Sequence, residues 1–567
     1  MGTLFSTLSI ARSGMQIAQV QLDIAGHNIA NVNKVGFSRQ RVELISRVPL
    51  SRPFGQIGRG VAISLISRVR DPFLDTLIRN QVAGLRSAEL QTQFFGQIED
   101  IFLEPTERGM SGRINNFFQA LQEFSTNVES LPIRQSVVTE AESLSALFNE
   151  TARRLNTLRT NANEEVIGLV PEVNSLAERI AKLNDQIRVA EVSGNPANDL
   201  RDDRDVLLDQ LAGIVNIFTR ERTNGQVDVL IGDQVLVDGD RFRELETVQN
   251  ALLDPVRNDF VDIRFVDNGN LLTVQDGSIF GALELRDSIL VEIQSDIDLL
   301  AATFIREINV IHSQGRGLIN LTALTGSNVV TDPALALNSA GLPFPVTPGT
   351  FEVTVLDAAG NPTAGSPTTI TIGAGTTLND LVADLNAIPE LTASVTPDGA
   401  LQITAAAGFS FAFTNDTTGA LAALGANVLF TGSDAASMGV NQVIVDDPQL
   451  LASGFSTDPS ETGDNSAALA LADVQNGRFL QNSSMTINDF FESTIVRIGI
   501  DARSVQATFE VELTFVDGFE RRRQEVSGVS LDEEVTFLLL FQRAFEASAR
   551  VVTVTDRMLD ALFAMAR

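Results

Sequence analysis

The sequence predicts an α+β multidomain protein. Its N- and C-terminal helices pair as a coiled coil, a mainly helical domain lies next to them, and β-rich outer domains are inserted in the middle of the chain. Three observations carry this prediction. Both ends hold an apolar stripe at heptad spacing. The stretches 71–213 and 283–312 repeat with the period of a helix. Between 214 and 280, and in a composition of its own between 321 and 440, strand and hairpin patterns take over.

The elements follow in order. Leu4, Leu8, Ala11, Met15, Ala18, Leu22, Ala25 and Ile29 alternate at spacings of four and three, a seam on a helix of about 28 residues and about 42 Å. After it comes HNIANVNKVGFSRQ (27–40), with Asn28, Asn31 and Asn33 ahead of Gly36 and Phe37. Asn and Gly suit a helix stop and a turn. Leu90, Phe94, Ile98 and Ile101 share one helical face, as do Ile114, Phe117, Leu121 and Phe124. A long stripe runs from Val138 to Ile187, with Pro171 expected to kink it or to mark a junction. SGNPAND (193–199) reads as a turn before a shorter helix through Leu207, Leu208 and Leu211.

Residues 227–239 alternate around a Gly-Asp turn, and Asn268-Gly269 marks a second hairpin. The insert 321–440 is rich in Ala, Thr, Gly and Pro, with a short helix at 377–388 capped by Thr377. The stretch 503–515 alternates as a strand would. Leu538, Phe541, Phe545, Ser548, Val552, Thr555, Leu559 and Leu562 then form the second heptad seam. Either helix alone would leave its stripe wet, so the two are expected to pair with each other, with neighbouring subunits, or both. The expected domains are 1–36 with 530–567 (terminal coiled coil), 37–218 with 281–320 and 441–529 (mainly helical core), 219–280 (β-rich) and 321–440 (β-rich outer insert). A length of 567 residues fits such a division, being too great for one core.

Composition narrows the function. A net charge of −31 argues against nucleic-acid binding. Residues 1–70 run the other way: nine Arg and Lys against Asp23 and Glu43 give +7, leaving −38 for the rest. That basic stretch is read as a solvated face or as one that meets an acidic neighbour. Cysteine is absent, which removes disulfides and thiol chemistry. No apolar run reaches the length of a membrane span, and the N-terminus lacks the pattern of a cleaved secretory signal.

A reaction centre is not expected, nor a cofactor or a metal. His27 reads as a helix-end polar residue, and His312 as a helix C-terminal residue near Gly315 that suits the dipole. Asp199, Asp202, Asp203, Asp205 and Asp209 could suggest oxygen ligands for a cation. Arg201 and Arg204 interleave with them, however, and Leu200, Leu207, Leu208 and Leu211 define a buried face. The acids are therefore expected to form a solvated, salt-bridged helix start.

These residues also carry a resemblance. LDIAGHNIANVNKVGFSRQRVEL (22–44) resembles the signature of the bacterial flagellar rod, hook and hook-associated axial proteins, with Phe37 where the family usually has Tyr. Residues 194–215, 277–290, 308–318 and 463–476, with the C-terminal stretch 527–562, narrow the resemblance to the hook-associated protein 1 family. The resemblance implies a structural subunit of the hook–filament junction, exported through the flagellar type III channel and assembled through its terminal helices outside the cell. It implies as partners further copies of the chain, hook protein, hook-associated protein 3 and a cytoplasmic chaperone for the C-terminal helix, with no nucleic acid and no membrane insertion. The assembly residues expected on this reading are Leu4, Leu8, Met15, Leu22, Asn28, Ile29, Asn31, Gly36, Phe37, Leu538, Phe541, Phe545, Val552, Leu559 and Leu562. Another axial protein (hook-associated protein 3, flagellin or hook protein) and a secreted surface adhesin using the insert are the alternatives.

Overall fold

The computed structural model describes residues 2–52, 55–102, 106, 109–250, 252–253, 259–461 and 463–565. Met1 and residues 566–567, inside the bounds expected for the terminal coiled coil, lie outside the described residues. The chain opens with α1 (Gly2–Ala30) and a ribbon of β1 (Gln40–Ser46), β2 (Leu50–Arg52), β3 (Gly55–Ile57) and β4 (Val61–Arg68). Four helices follow: α2 (Pro72–Phe102), α3 (Met110–Thr126), α4 (Leu131–Ala190) and α5 (Asn198–Ile214). Strands β5 (Phe218–Glu221), β6 (Val227–Ile231), β7 (Gln234–Asp238), β8 (Arg241–Phe242), β9 (Leu245–Gln249) and β10 (Val261–Phe265) precede α6 (Ser278–Glu284) and α7 (Leu290–His312). Then come β11 (Ala323–Val329), β12 (Gly349–Leu356), β13 (Thr368–Ile372), α8 (Leu378–Asn386), β14 (Leu391–Val395), β15 (Ala400–Ala405) and β16 (Ser410–Thr414). Short elements α9 (Ala420–Ala423), β17 (Phe430–Thr431), β18 (Gly439–Val440), α10 (Gln442–Asp446) and α11 (Ser466–Asp473) lead to α12 (Ile487–Ser527) and α13 (Leu531–Met565).

The chain divides into two compact units. The first comprises Met1–Gln93, Thr160–Arg286 and Ser504–Arg567. Its core closes Val173, Ile180, Leu207 and Leu211 from α4 and α5 over Val229, Ile231 and Phe265 from the strands. Strands β5 to β8 form an antiparallel sheet in sequence order, with Gly232 at a φ of 58° turning β6 into β7. Asn184, fully buried on α4, accepts from Val227 N at 3.0 Å and donates to Val227 O and Gly239 O at 2.8 and 2.7 Å. This stitches helix to sheet with its amide satisfied. The turn at Asn268-Gly269 forms, but β10 ladders with β9 and meets the other side of that turn only through an Arg264–Leu271 bridge.

Pro171 does not divide the long helix. Alpha helix α4 runs 60 residues straight through it. The proline is exposed, so the carbonyl that loses its N–H partner can turn to water. Val166, Val170, Val173 and Leu176 on either side stay buried in one core.

The second unit comprises Phe94–Arg159 and Asp287–Arg503. Its centre is a cluster of phenylalanines. Phe117, Phe118, Phe304 and Phe430 lie with ring centroids 5.4 to 5.7 Å apart and tilted or edge-on, the arrangement that aromatic quadrupoles favour. Phe430 falls within the stretch 321–440 yet packs between α3 and α7 side chains. Two three-stranded sheets, ordered β11-β15-β14 and β13-β12-β16, complete this unit. Thr377 caps α8 in a capping box with Asp380, as its position suggests.

The strand expected at 503–515 is helix. Those residues lie inside α12. Val505, Phe509, Glu512 and Val516 are half-buried at spacings of four, three and four, a helical face that short-range alternation conceals. Propagating a helix already formed from Ile487 outweighs the β preference of its Val, Thr and Phe. No helix among the described residues is long and apolar enough to cross a membrane.

Candidate assembly site

The two heptad seams meet. Helices α1 and α13 pack against each other within the first unit. Ala11, Ala18 and Ala25 are buried, and Leu4, Leu8, Met15, Leu22 and Ile29 are half-buried between them. On α13, Thr555 is buried and Leu538, Phe541, Phe545, Ser548, Val552 and Leu559 are half-buried. Leu562 departs from this set and is exposed. At mid-seam small faces small: a Cβ added to Gly14 would lie 3.0 Å from Ser548 Oγ. This leaves a second face of α13 wet, with Val551, Val554 and Met558 exposed.

The Asn-rich stretch is the joint that closes this pair onto the body. Asn28 is buried at the end of α1. Its Oδ1 accepts from Gln40 N at 3.0 Å, and its Nδ2 donates to Gln40 O at 3.0 Å and to Glu534 Oε2 at 3.2 Å. One side chain thus joins the end of α1, the start of β1 and the first turn of α13. Asn31 Nδ2 donates back to His27 O at 2.9 Å, beside the Asn31 backbone N–H that reaches the same carbonyl at 3.1 Å. The His27 ring stands edge-on to Phe37, centroids 5.5 Å apart. Gly36 sits at a φ of 77°, and an added Cβ would come within 2.1 Å of Val206 Cγ2 on α5. Only glycine serves there, on both conformation and space. Arg39 then reaches Glu533 at 3.0 Å and Glu534 at 2.7 Å, clamping the start of α13.

The acidic motif on α5 is the other half of the joint: it is salt-bridged as expected and Asp199 and Asp203 are exposed, but the expected solvation is corrected at Asp202 and Asp205. Asp202, Arg204 and Asp205 are buried. Asp202 accepts from Ser38 N at 2.9 Å and Ser38 Oγ at 2.8 Å. Arg68 bonds both Asp202 and Asp205, at 2.7 and 2.9 Å, and Arg70 grips Asp75 at 2.7 Å beside Asp205 at 3.3 Å. Burial would push the Asp205 carboxyl up, but Arg70, Arg68 and Arg79 outweigh it and hold the group down to about 2. The basic N-terminal segment therefore meets its acidic neighbour within its own chain. On the same helix, Arg204 donates to Gly225 O at 2.7 Å and Asn184 Oδ1 at 3.2 Å.

His312, in the second unit, is also corrected. It closes α7 but is wholly buried, and burial pushes its imidazole down to about 4. The neutral ring donates from Nδ1 to Asn427 O at 2.8 Å and accepts the Ala452 N–H on Nε2 at 3.1 Å. A neutral ring adds no charge to the helix dipole.

The comparisons with known proteins fall on these same elements. The family described as the flagellar hook-associated protein FlgK helical domain matches residues 95–328. The family of flagella basal body rod proteins matches 8–37, and the C-terminal family of the flagellar basal body rod FlgEFG proteins matches 521–565. The last two matches cover most of the seam and the Asn-rich stretch of the joint. Flagellar hook-associated protein 1 of Bacillus subtilis (strain 168) is 26% identical over 574 residues, spanning 99% of this chain and 98% of that protein. Its counterpart in Salmonella typhimurium is 27% identical over 579 residues, spanning 98% and 99%. Over nearly its whole length the chain is similar to flagellar hook-associated protein 1 of these bacteria. A solved structure, that of the flagellar hook junction protein FlgK from Burkholderia pseudomallei, shares the fold with a TM-score of 0.51 at 17% identity, over 80% of this chain and all of that one. Members of the hook-associated protein 1 family thus match this chain from end to end, whereas the rod-protein families match only its two ends.

Proposed function

We propose that the α1–α13 pair is the element through which this chain, a structural protein of the flagellar hook–filament junction, joins its neighbours. The observation that carries the proposal is the leftover apolar face. Once α1 has covered one stripe of α13, Val551, Val554 and Met558 still face water, and a solvated helix gains nothing from such a stripe unless another surface covers it. Neighbouring subunits, hook protein on one side and hook-associated protein 3 on the other, are the partners proposed for that face. On this reading the chain leaves through the flagellar export channel, and a cytoplasmic chaperone holds α13 before export. The terminal helices order fully on docking, which couples their folding to assembly and restrains polymerisation inside the cell.

The test combines deletion and substitution. Deleting the gene should leave hooks without filaments and release flagellin into the medium. Leu22→Asp and Leu559→Asp each place a charge in the seam and should restore neither filaments nor motility, while circular dichroism shows the rest of the chain folded. Normal filaments on the deletion strain would overturn the reading of function. Normal filaments with both substitutions would overturn the role of the helix pair.

A further inference from the structure

Of the nine cations in residues 1–70, Arg12 lies on α1 and Arg41 stands 3.8 Å from Glu43; the other seven divide into two sets. Lys34, Arg39, Arg68 and Arg70 are engaged by Asp203, Glu533, Glu534, Asp202, Asp205 and Asp75 of their own chain. Arg47, Arg52 and Arg59 are not. All three are exposed on the β1–β4 ribbon, and among the described residues no ion pair engages them. The ribbon also exposes apolar side chains. Ile45 is 55% and Val48 80% accessible, and Leu44 and Leu50 are exposed beside them. A two-stranded ribbon buries little by itself. Exposed aliphatics set among unpaired arginines mark a surface that gains by being covered.

We propose that this ribbon docks on a second copy of the chain, against the outer face of α12 between Gln506 and Asp517. The proposal rests on the reading that the chain assembles with copies of itself. That face is the ribbon's complement. It exposes Val511 and Phe515 together with Glu510 and Asp517, and neither acid belongs to an ion pair among the described residues. A further exposed apolar helix face, around Val551 and Met558, carries the exposed Arg550 and Arg557, which repel a basic ribbon. Opposite charges at the rim set register and exclude wrong partners, while the apolar centre supplies the burial.

The absence of cysteine makes the test direct. Val48→Cys with Phe515→Cys in one full-length chain should give a ladder of disulfide-linked copies when isolated flagella are mildly oxidised. Val48→Cys alone should give none. Independently, the triple change R47E/R52E/R59E should abolish filaments, and adding E510R/D517R should restore them. No ladder, a ladder with the single cysteine, or no rescue by the swapped charges would overturn the docking. So would flotation of the parent chain with phosphatidylglycerol vesicles lost in the triple variant, which would make the ribbon a membrane-surface element. Immunolabelling of each variant separates the two levels. Label away from the junction counts against the reading of function, whereas label at the junction without ladder or rescue counts against the docking alone.

Discussion

At the scale of single residues, Asn28 shows what the joint requires. Its amide faces a backbone carbonyl, a backbone N–H and the buried Glu534 carboxylate. Asn28→Asp would turn the donor into an acceptor opposite two acceptors, and should cost about 3 kcal/mol of stability by urea denaturation. Asn28→Asp with Glu534→Gln should recover part of that loss, because a donor returns to the pair; an additive double variant would show that the two side chains do not act together. His312 gives the second prediction. Its value falls from 6.5 unfolded to about 4 folded, so the unfolded chain takes up the proton first as pH drops. Its contribution is fully present above pH 6.5 and is lost as pH falls towards 4, about 3 kcal/mol at most. In urea titrations the stability difference between the parent and His312→Asn should narrow across that window, and a constant difference would refute it. The half of the joint that is contiguous in sequence was legible: Asn28, Asn31, Gly36 and Phe37 crowd one short stretch with the chemistry of a helix stop. Their partners were not, since Ser38 lies 164 residues from Asp202 and Asn28 lies 506 from Glu534. Local pattern carries no signal at that separation. The aspartates of α5 also look like a wet face until the arginines that cover them are in place.

At the scale of elements, periodicity did well where a helix has one dry face and badly where it has none. The seams of α1 and α13 read directly because all of their heptad residues except Leu562 are at least half-buried. The stretch 503–515 misled because α12 is exposed around most of its circumference there, leaving short-range alternation as the louder pattern. The contact of Gly14 with Ser548 sets how closely the terminal helices approach. Ser548→Leu should push them apart and raise amide hydrogen exchange of 531–565 by about tenfold or more, the effect of roughly 1.4 kcal/mol. Ser548→Ala should leave exchange near the parent level. Equal protection in the leucine variant would mean that the seam does not rely on this close approach.

At the scale of the whole molecule, the question is which part of the middle of the chain can be removed. The backbone enters and leaves the β-rich stretch at neighbouring points: Phe411 N–H donates to Leu321 O at 2.8 Å, and Asp416 N–H donates to Gln314 Oε1 at 3.2 Å. Residues 417–425 still pair with Ser327, Asn328, Thr347 and Thr350 of that stretch, and from Asn427 the chain returns to the core of the second unit. Asn427 donates to His312 O, Ser313 O and Gly315 O and so covers the end of α7, and Phe430 completes the phenylalanine cluster. The removable piece is therefore proposed to end near residue 426. Replacing 322–426 by a short Gly-Ser linker should leave a chain that unfolds cooperatively and still supports filaments, because closing a short loop costs little entropy. Replacing 321–440 instead removes Asn427 and Phe430 together, strips the partner from the His312 ring and opens a cavity beside Phe117 and Phe304. Losing one buried phenylalanine alone costs about 3–5 kcal/mol, a large share of the roughly 5–15 kcal/mol by which domains are stable. The longer deletion should therefore be insoluble or lack a cooperative transition in circular dichroism. Cooperative folding of both chains would show that the second unit does not depend on residues 427–440.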